Sequence, residues 1–227
     1  MKRHYSYPLK TLAAIAISLW ICVHSFAQEG SGELERPGKL FSPSKIPLLE
    51  DAGRDTWQKP DEILHALNIK EGDVVADVGA GSGYLTEKLS VRVGQGGTVY
   101  AVEVQQEMLD FINKRIEKNN LKNVVSVRGN MNDPKLQPGS IDVAILLSVY
   151  HEIEHPVDFM KRIKPALKPH GKLVIIEFSS KSPIGPPLKV RLPEELVIKE
   201  LHSSGFTLLQ THTILLPYQY FLIFIPS

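Results

Sequence analysis

The stretch Val74-Val75-Ala76-Asp77-Val78-Gly79-Ala80-Gly81-Ser82-Gly83-Tyr84-Leu85 decides the fold. An apolar, β-branched run ends in an acid, glycines follow at alternate positions, and residues 84–90 resume with helical spacing. That is a strand, a tight turn and a helix start, with the turn stripped of side chains so that a ligand can lie against bare backbone. It predicts a nucleotide-type binding turn.

Outward from the turn, strand and helix signals alternate. Residues 98–104 read as a second strand, 106–119 as an amphipathic helix, 124–128 as a third strand and 141–149 as a fourth, strongly apolar one. Residues 157–167 read as a helix, 173–178 as a fifth strand and 193–203 as a helix. Such alternation predicts a parallel sheet covered on both faces. The ending departs from it: 206–216 and 218–225 are two extended runs joined at Pro217, with no room for a crossover helix, so they must pair as an antiparallel hairpin at a sheet edge. On the other side, 61–67 forms an amphipathic helix begun by Pro60-Asp61-Glu62. Trp57, just before it, is either a core residue under that helix or a lid over a ligand.

Composition bounds the rest. With 227 residues, 43% hydrophobic and 22% charged, the chain suits one domain with a full core plus an extension at an end. A formal charge of +1 gives no basic field of the kind nucleic-acid binding requires, so no nucleic-acid partner is expected. The extension is N-terminal. Lys2, Arg3 and Lys10 precede an apolar run over 12–23, and Ser25-Phe26-Ala27 offers small residues where a signal peptidase reads. Residues 1–27 therefore read as a cleavable leader and 28–54, rich in Gly, Pro, Ser and charge, as a linker or N-terminal arm ahead of a domain over 55–227. The apolar run is short for a bilayer span, so export to the periplasm or medium is the first expectation. A retained membrane anchor, or a cytoplasmic protein with a misread leader, is the alternative. Cleavage removes three basic residues and the only cysteine, Cys22, leaving a formal charge of −2 and no disulfides, thiolate metal sites or cysteine nucleophiles.

The ligand of the turn is narrowed by what is missing. A dinucleotide fingerprint starting at Gly79 needs glycine where Tyr84 stands, and a P-loop ends in Gly-Lys-Ser/Thr, which does not occur. Asp77 before the turn would repel a phosphate, so the nearest part of the ligand is expected to be cationic or zwitterionic.

Taken together, Asp77-Val78-Gly79-Ala80-Gly81-Ser82-Gly83, Val99-Tyr100-Ala101-Val102-Glu103 and the terminal hairpin resemble class I S-adenosylmethionine-dependent methyltransferases, over about residues 55–225. The resemblance implies a Rossmann-like, doubly wound α/β sheet of five parallel strands plus a C-terminal antiparallel hairpin, the seven-stranded methyltransferase fold. It also implies S-adenosyl-L-methionine as cofactor and a small or lipophilic methyl acceptor. By the same resemblance Asp77, Gly79, Ala80, Gly81 and Gly83 pack under the methionine and ribose, and Glu103, with Val104 beside it, takes both ribose hydroxyls, since one carboxylate presents two acceptors at one depth. After the third strand the family usually has an acid. Here Gly129-Asn130-Met131-Asn132-Asp133 stands there, so either Asn130 or Asp133 takes the adenine amine, and Met131 either stacks on the ring or is ordinary core.

Leu147-Ser148-Val149-Tyr150-His151-Glu152 follows the fourth strand, and quinone-biosynthesis C-methyltransferases are similar in carrying a Tyr-His stretch there. This implies Ser148 at the cofactor and Tyr150 and His151 at the reaction, His151 being either the base for an acceptor that must lose a proton or a hydrogen-bonded structural histidine. The same residues spell His151-Glu152-Ile153-Glu154-His155, a zinc-hydrolase pattern with Glu177 as a conceivable third ligand. That pattern needs one helix carrying both imidazoles, and Pro156 and the preceding strand argue against it; no metal is expected. Residues 179–191 form a proline-rich loop whose Lys181, Lys189 and Arg191 either greet an acidic substrate or are simply solvated. A non-catalytic binding protein with the same fold remains open, because S-adenosylmethionine is made in the cytosol while the leader points outward. Oligomeric state is not legible.

Overall fold

The computed structural model describes residues 36–212 and 215–227; the expected leader, and the arm up to residue 35, lie outside the described residues. Seven strands form one sheet in the order β3-β2-β1-β4-β5-β7-β6. The strands are β1 (Val74–Val78), β2 (Thr98–Glu103), β3 (Val124–Arg128), β4 (Ile141–Leu147), β5 (Leu167–Phe178), β6 (Phe206–His212) and β7 (Gln219–Pro226). β1 to β5 pair in parallel, and β7 runs antiparallel to both β5 and β6. The hairpin's second strand thus inserts beside β5 and leaves β6 as the sheet edge. Burial explains the order: Gln219 to Phe224 are all buried, whereas β6 alternates, as a half-solvated edge does.

Successive residues of each strand feed opposite faces. Ala76, Val78, Ala144, Leu146 and Ile175 pack toward Phe159, Met160 and Ile163 of α6 (Pro156–Ile163) and Val197 and Leu201 of α7 (Glu194–Ser203). Val75, Val99, Val143, Ile145 and Val174 pack toward Ile63 and Leu64 of α3 (Pro60–Ala66), Leu85 and Leu89 of α4 (Tyr84–Val93) and Ile112 of α5 (Gln106–Asn119). The sheet is doubly wound, and the chain reverses its direction of travel across it between β1 and β4. The crevice at that switch, beyond the carboxyl ends of the strands, is where open α/β sheets bind ligands.

Some boundaries differ from the sequence expectation for local reasons. The sixth helix ends at Ile163, because Pro165 has no N–H to continue it, and a 3-10 turn follows over Lys164–Ala166. The fifth strand begins earlier, at Leu167, and its register against β4 slips between Ile141 and Val143. The described part of the arm, 36–54, lies against the domain: Pro43–Lys45 is a 3-10 turn, α1 is Ile46–Leu49, and α2 is Arg54–Gln58. Arg36 donates to Glu200 at 2.6 Å, Gly38 N–H to the His151 carbonyl at 2.8 Å, and Gln105 to the Phe41 carbonyl at 2.9 Å.

Candidate active site

The turn after β1 is bent as its glycines require. Gly79, Gly81 and Gly83 have φ of +78°, +56° and +78°, in the left-handed region that side chains disfavour. At Gly79 the chain also approaches Val149 so closely that an added Cβ would lie 2.5 Å from a valine methyl. Gly79 and Ala80 donate to the Val102 carbonyl, tying the turn to β2. Glu103, 6% exposed, completes the arch: its carboxylate accepts from Gly81 N–H at 3.0 Å, Val104 N–H at 2.7 Å and Gln105 N–H at 3.0 Å. One carboxylate is thus held by backbone of the turn after β1 and of the residues that follow β2, with acceptor capacity left for a pair of hydroxyls.

Asp77 is turned into the domain. Its carboxylate accepts the Thr86 hydroxyl at 2.6 Å, and burial pushes its pKa up to about 6, against the pull of that bond and of the Arg54 guanidinium. Arg54 and Gln58 stand four residues apart on α2 and share a face. The Arg54 guanidinium lies 3.8 Å over the Tyr84 ring and donates to the Leu49 carbonyl, while its Nε is buried without a partner. Gln58 is wholly buried; it donates to Gln219 at 2.6 Å, and Gln219 donates to Ser148 Oγ at 2.8 Å, fixing the residue at which β4 turns with φ +59°. No local pattern flags Arg54, Gln58 or Gln219 in the sequence; only the i, i+4 spacing of the first two hints at a shared face.

Across the switch point, His151 is 5% exposed in a 3-10 turn (Tyr150–Glu152). Its Nδ1 lies 3.0 Å from both carboxylate oxygens of Glu177, and its Nε2 3.8 Å from Glu152. Burial alone would lower the imidazole pKa, but the Glu177 and Glu152 carboxylates outweigh it and the net shift is upward. Burial in turn pushes the Glu152 carboxyl up to about 7. Trp57 is half-buried and packs at 5.8 Å on Phe178, at the end of β5, and at 6.2 Å on Tyr218, just ahead of β7.

Several expected roles change. Tyr150 is completely buried, with its hydroxyl donating to Glu200 at 2.9 Å and Arg36 over its ring, so it braces the core and leaves His151 as the reactive candidate. Met131 is 41% exposed and so is not core; the turn 130–133 is closed by Asn132 N–H donating to Asn130 Oδ1, and the Asp133 carboxylate is engaged by Lys135. Arg191 does not face a substrate: it donates to the carbonyls of Ser179, Ser182, Ile184 and Pro186 and so holds the proline-rich loop together. The zinc geometry is not formed. His151 and His155 share no helix, His155 is exposed, and among the described residues no group of three metal-ligating side chains converges.

The donor set fits S-adenosylmethionine. Glu103 suits the ribose diol, the bare turn with the buried, unpartnered Ser82 hydroxyl suits a polar ligand against backbone, and the Arg54 guanidinium, its Nε unpartnered, suits a carboxylate end. Fold and site define a class I methyltransferase. A methyltransferase-domain family model matches residues 69–210, well over half the chain, and the protein belongs to that family. A crystal structure of an S-adenosylmethionine-dependent methyltransferase from Aquifex aeolicus superposes with a TM-score of 0.79 at 30% identity, covering 82% of this chain and 100% of that one. The demethylmenaquinone methyltransferase of Lactobacillus johnsonii is 30% identical over 63% of this chain and 57% of its own. The protein-L-isoaspartate O-methyltransferase of Aeropyrum pernix is 34% identical over 55% of this chain and 44% of its own. The chain thus spans about half the length of these two relatives, whose acceptors differ.

Proposed function

We propose that this protein transfers a methyl group from S-adenosylmethionine to a small, lipophilic, ring-bearing acceptor, with His151 as the base. When bound, the cofactor supplies an electrophilic sulfonium methyl, so the protein's task is mostly positioning. The observation that carries the reading is the buried His151–Glu177 pair at the carboxyl end of β5, the end of the sheet at which Trp57, Phe178 and Tyr218 also gather. Glu177 orients the imidazole and raises its proton affinity, and the aromatic rings suit a flat apolar acceptor. The similarity to demethylmenaquinone methyltransferases points the same way. Residues 1–27 are read as an export leader, so the mature protein would act outside the cytoplasm; the mature N-terminus, found by mass spectrometry of fractionated cells, checks this.

The activity test follows labelled methyl transfer onto a panel of lipophilic phenols and onto oxidised and reduced demethylmenaquinone. His151→Asn and Glu177→Gln should each lower kcat by about a hundredfold while S-adenosylmethionine affinity by calorimetry stays near wild type. Tight cofactor binding with no transfer to any acceptor would instead favour a binding protein of the same fold.

A further inference from the structure

Eight large apolar side chains are exposed among the described residues, and four of them, Leu40, Leu48, Ile184 and Leu188, lie in two segments that flank the site: the arm and the loop after β5. In the loop, Ile184 is 38% and Leu188 63% exposed, with Pro183 and Pro187 exposed beside them. This apolar tip is not a floppy insertion. Arg191 pins it from inside through four backbone carbonyls, the Ser182 hydroxyl donates to the Ile184 carbonyl, and Gly185 at φ +103° sits so close to the Phe178 ring that a Cβ would lie 2.7 Å from it. The loop is thus a rigid, preformed projection resting on the same phenylalanine that packs on Trp57.

We propose that this projection is a docking surface for an anionic lipid bilayer, which Ile184 and Leu188 enter while Lys181 and Lys189 meet the headgroups. Large apolar side chains held in water by a braced backbone mark an interaction site, and apolar residues flanked by lysines are the pattern of interfacial binding. Charge is matched: from Ser179 to Pro193 the loop has three basic residues and no acid, and Arg191 is turned inward, so the exposed charges are the two lysines. Seated this way, the aromatic cluster opens onto the membrane, from which a lipophilic acceptor arrives without crossing water.

The inference takes its purpose from the lipophilic-acceptor reading but is tested without cofactor or acceptor, so its failure leaves methyl transfer standing. The full chain carrying Cys22→Ser and Leu188→Cys is labelled with a polarity-sensitive dye and mixed with vesicles of phosphatidylcholine containing phosphatidylglycerol. A chain labelled instead through Val91→Cys, on α4 and 78% exposed, is the control, because a leader that tethers the protein in random orientation treats the two positions alike. The expected result is a blue shift at 188, none at 91, and a midpoint in lipid weakened roughly tenfold by Lys181→Glu with Lys189→Glu. No shift at 188, equal shifts at both positions, or a midpoint indifferent to the lysines would overturn the proposal. So would a shift that grows with protein concentration in vesicle-free buffer, which would assign the patch to a second copy of the chain.

Discussion

Replacing Glu152 by Gln should stabilise the protein at pH 8 and leave it nearly unchanged at pH 4.5. The folded carboxyl has its pKa pushed from 4.5 to about 7, by burial first and by the neighbouring Glu177 and Glu103, against the opposing pull of His151 and the Phe41 amide. A folded state that holds this proton more tightly than the unfolded chain binds more protons between those values, so stability falls as pH rises from 4.5 to 7 and the full cost is present above 7. A shift of that size corresponds to about 3 kcal/mol. The pull of His151 is already contained in that net shift, so an increment of up to about 3 kcal/mol at pH 8 is expected. Gln keeps an oxygen for the 3.4 Å contact with Phe41 N–H and fills the same space. Urea unfolding of wild type and variant at pH 4.5 and pH 8 reads the difference directly. Asp77, raised to about 6 by burial, gives both proteins a residual slope of the same sign. A variant less stable than wild type at pH 8 would refute the reasoning, for it would mean that the carboxylate is held by His151 more strongly than burial opposes it.

Other consequences are sharper at single residues. Glu103→Ala and Gly81→Val should each weaken S-adenosylmethionine binding at least tenfold, about 1.4 kcal/mol by calorimetry, the first by removing the diol acceptor and the second by filling the turn and displacing Leu49; unchanged affinity in both would sink the cofactor assignment. Gly79→Ala combines a left-handed φ with a Cβ driven into Val149 and should cost about 2 kcal/mol or more of stability in thermal unfolding. Arg115 pairs with both Glu50 of the arm and Glu87 of α4, so Arg115→Ala should make the arm the first site cut in limited proteolysis, with little change in the unfolding midpoint of the sheet.

The features legible in sequence were those built from neighbours in the chain. The turn 79–83 and the acid at the end of β2 announce themselves because strand, bend and helix follow one another within a dozen residues, and the hairpin because Pro217 leaves no room for anything else. The strand boundaries failed where tertiary pairing overrode local pattern, as at Leu167, which the polar residues 168–172 disguise. The site's polar wiring was invisible for a different reason. Gln58 and Gln219 are 161 positions apart, and neither glutamine differs in sequence from a solvated one. Likewise the reading of Tyr150 as reactive followed its adjacency to His151, yet the 3-10 turn sends the two side chains to different partners, Glu200 and Glu177.

The arm carries a consequence for how the molecule comes into being. Arg36 bonds to a glutamate 164 positions later and Phe41 to one 111 positions later. Synthesis delivers these residues long before the partners that seat them exist, and ordering them any sooner would cost backbone entropy with nothing to offset it. The arm is therefore seated at Glu200 only after α7 has been made, and until then Arg36 has no carboxylate there to bond.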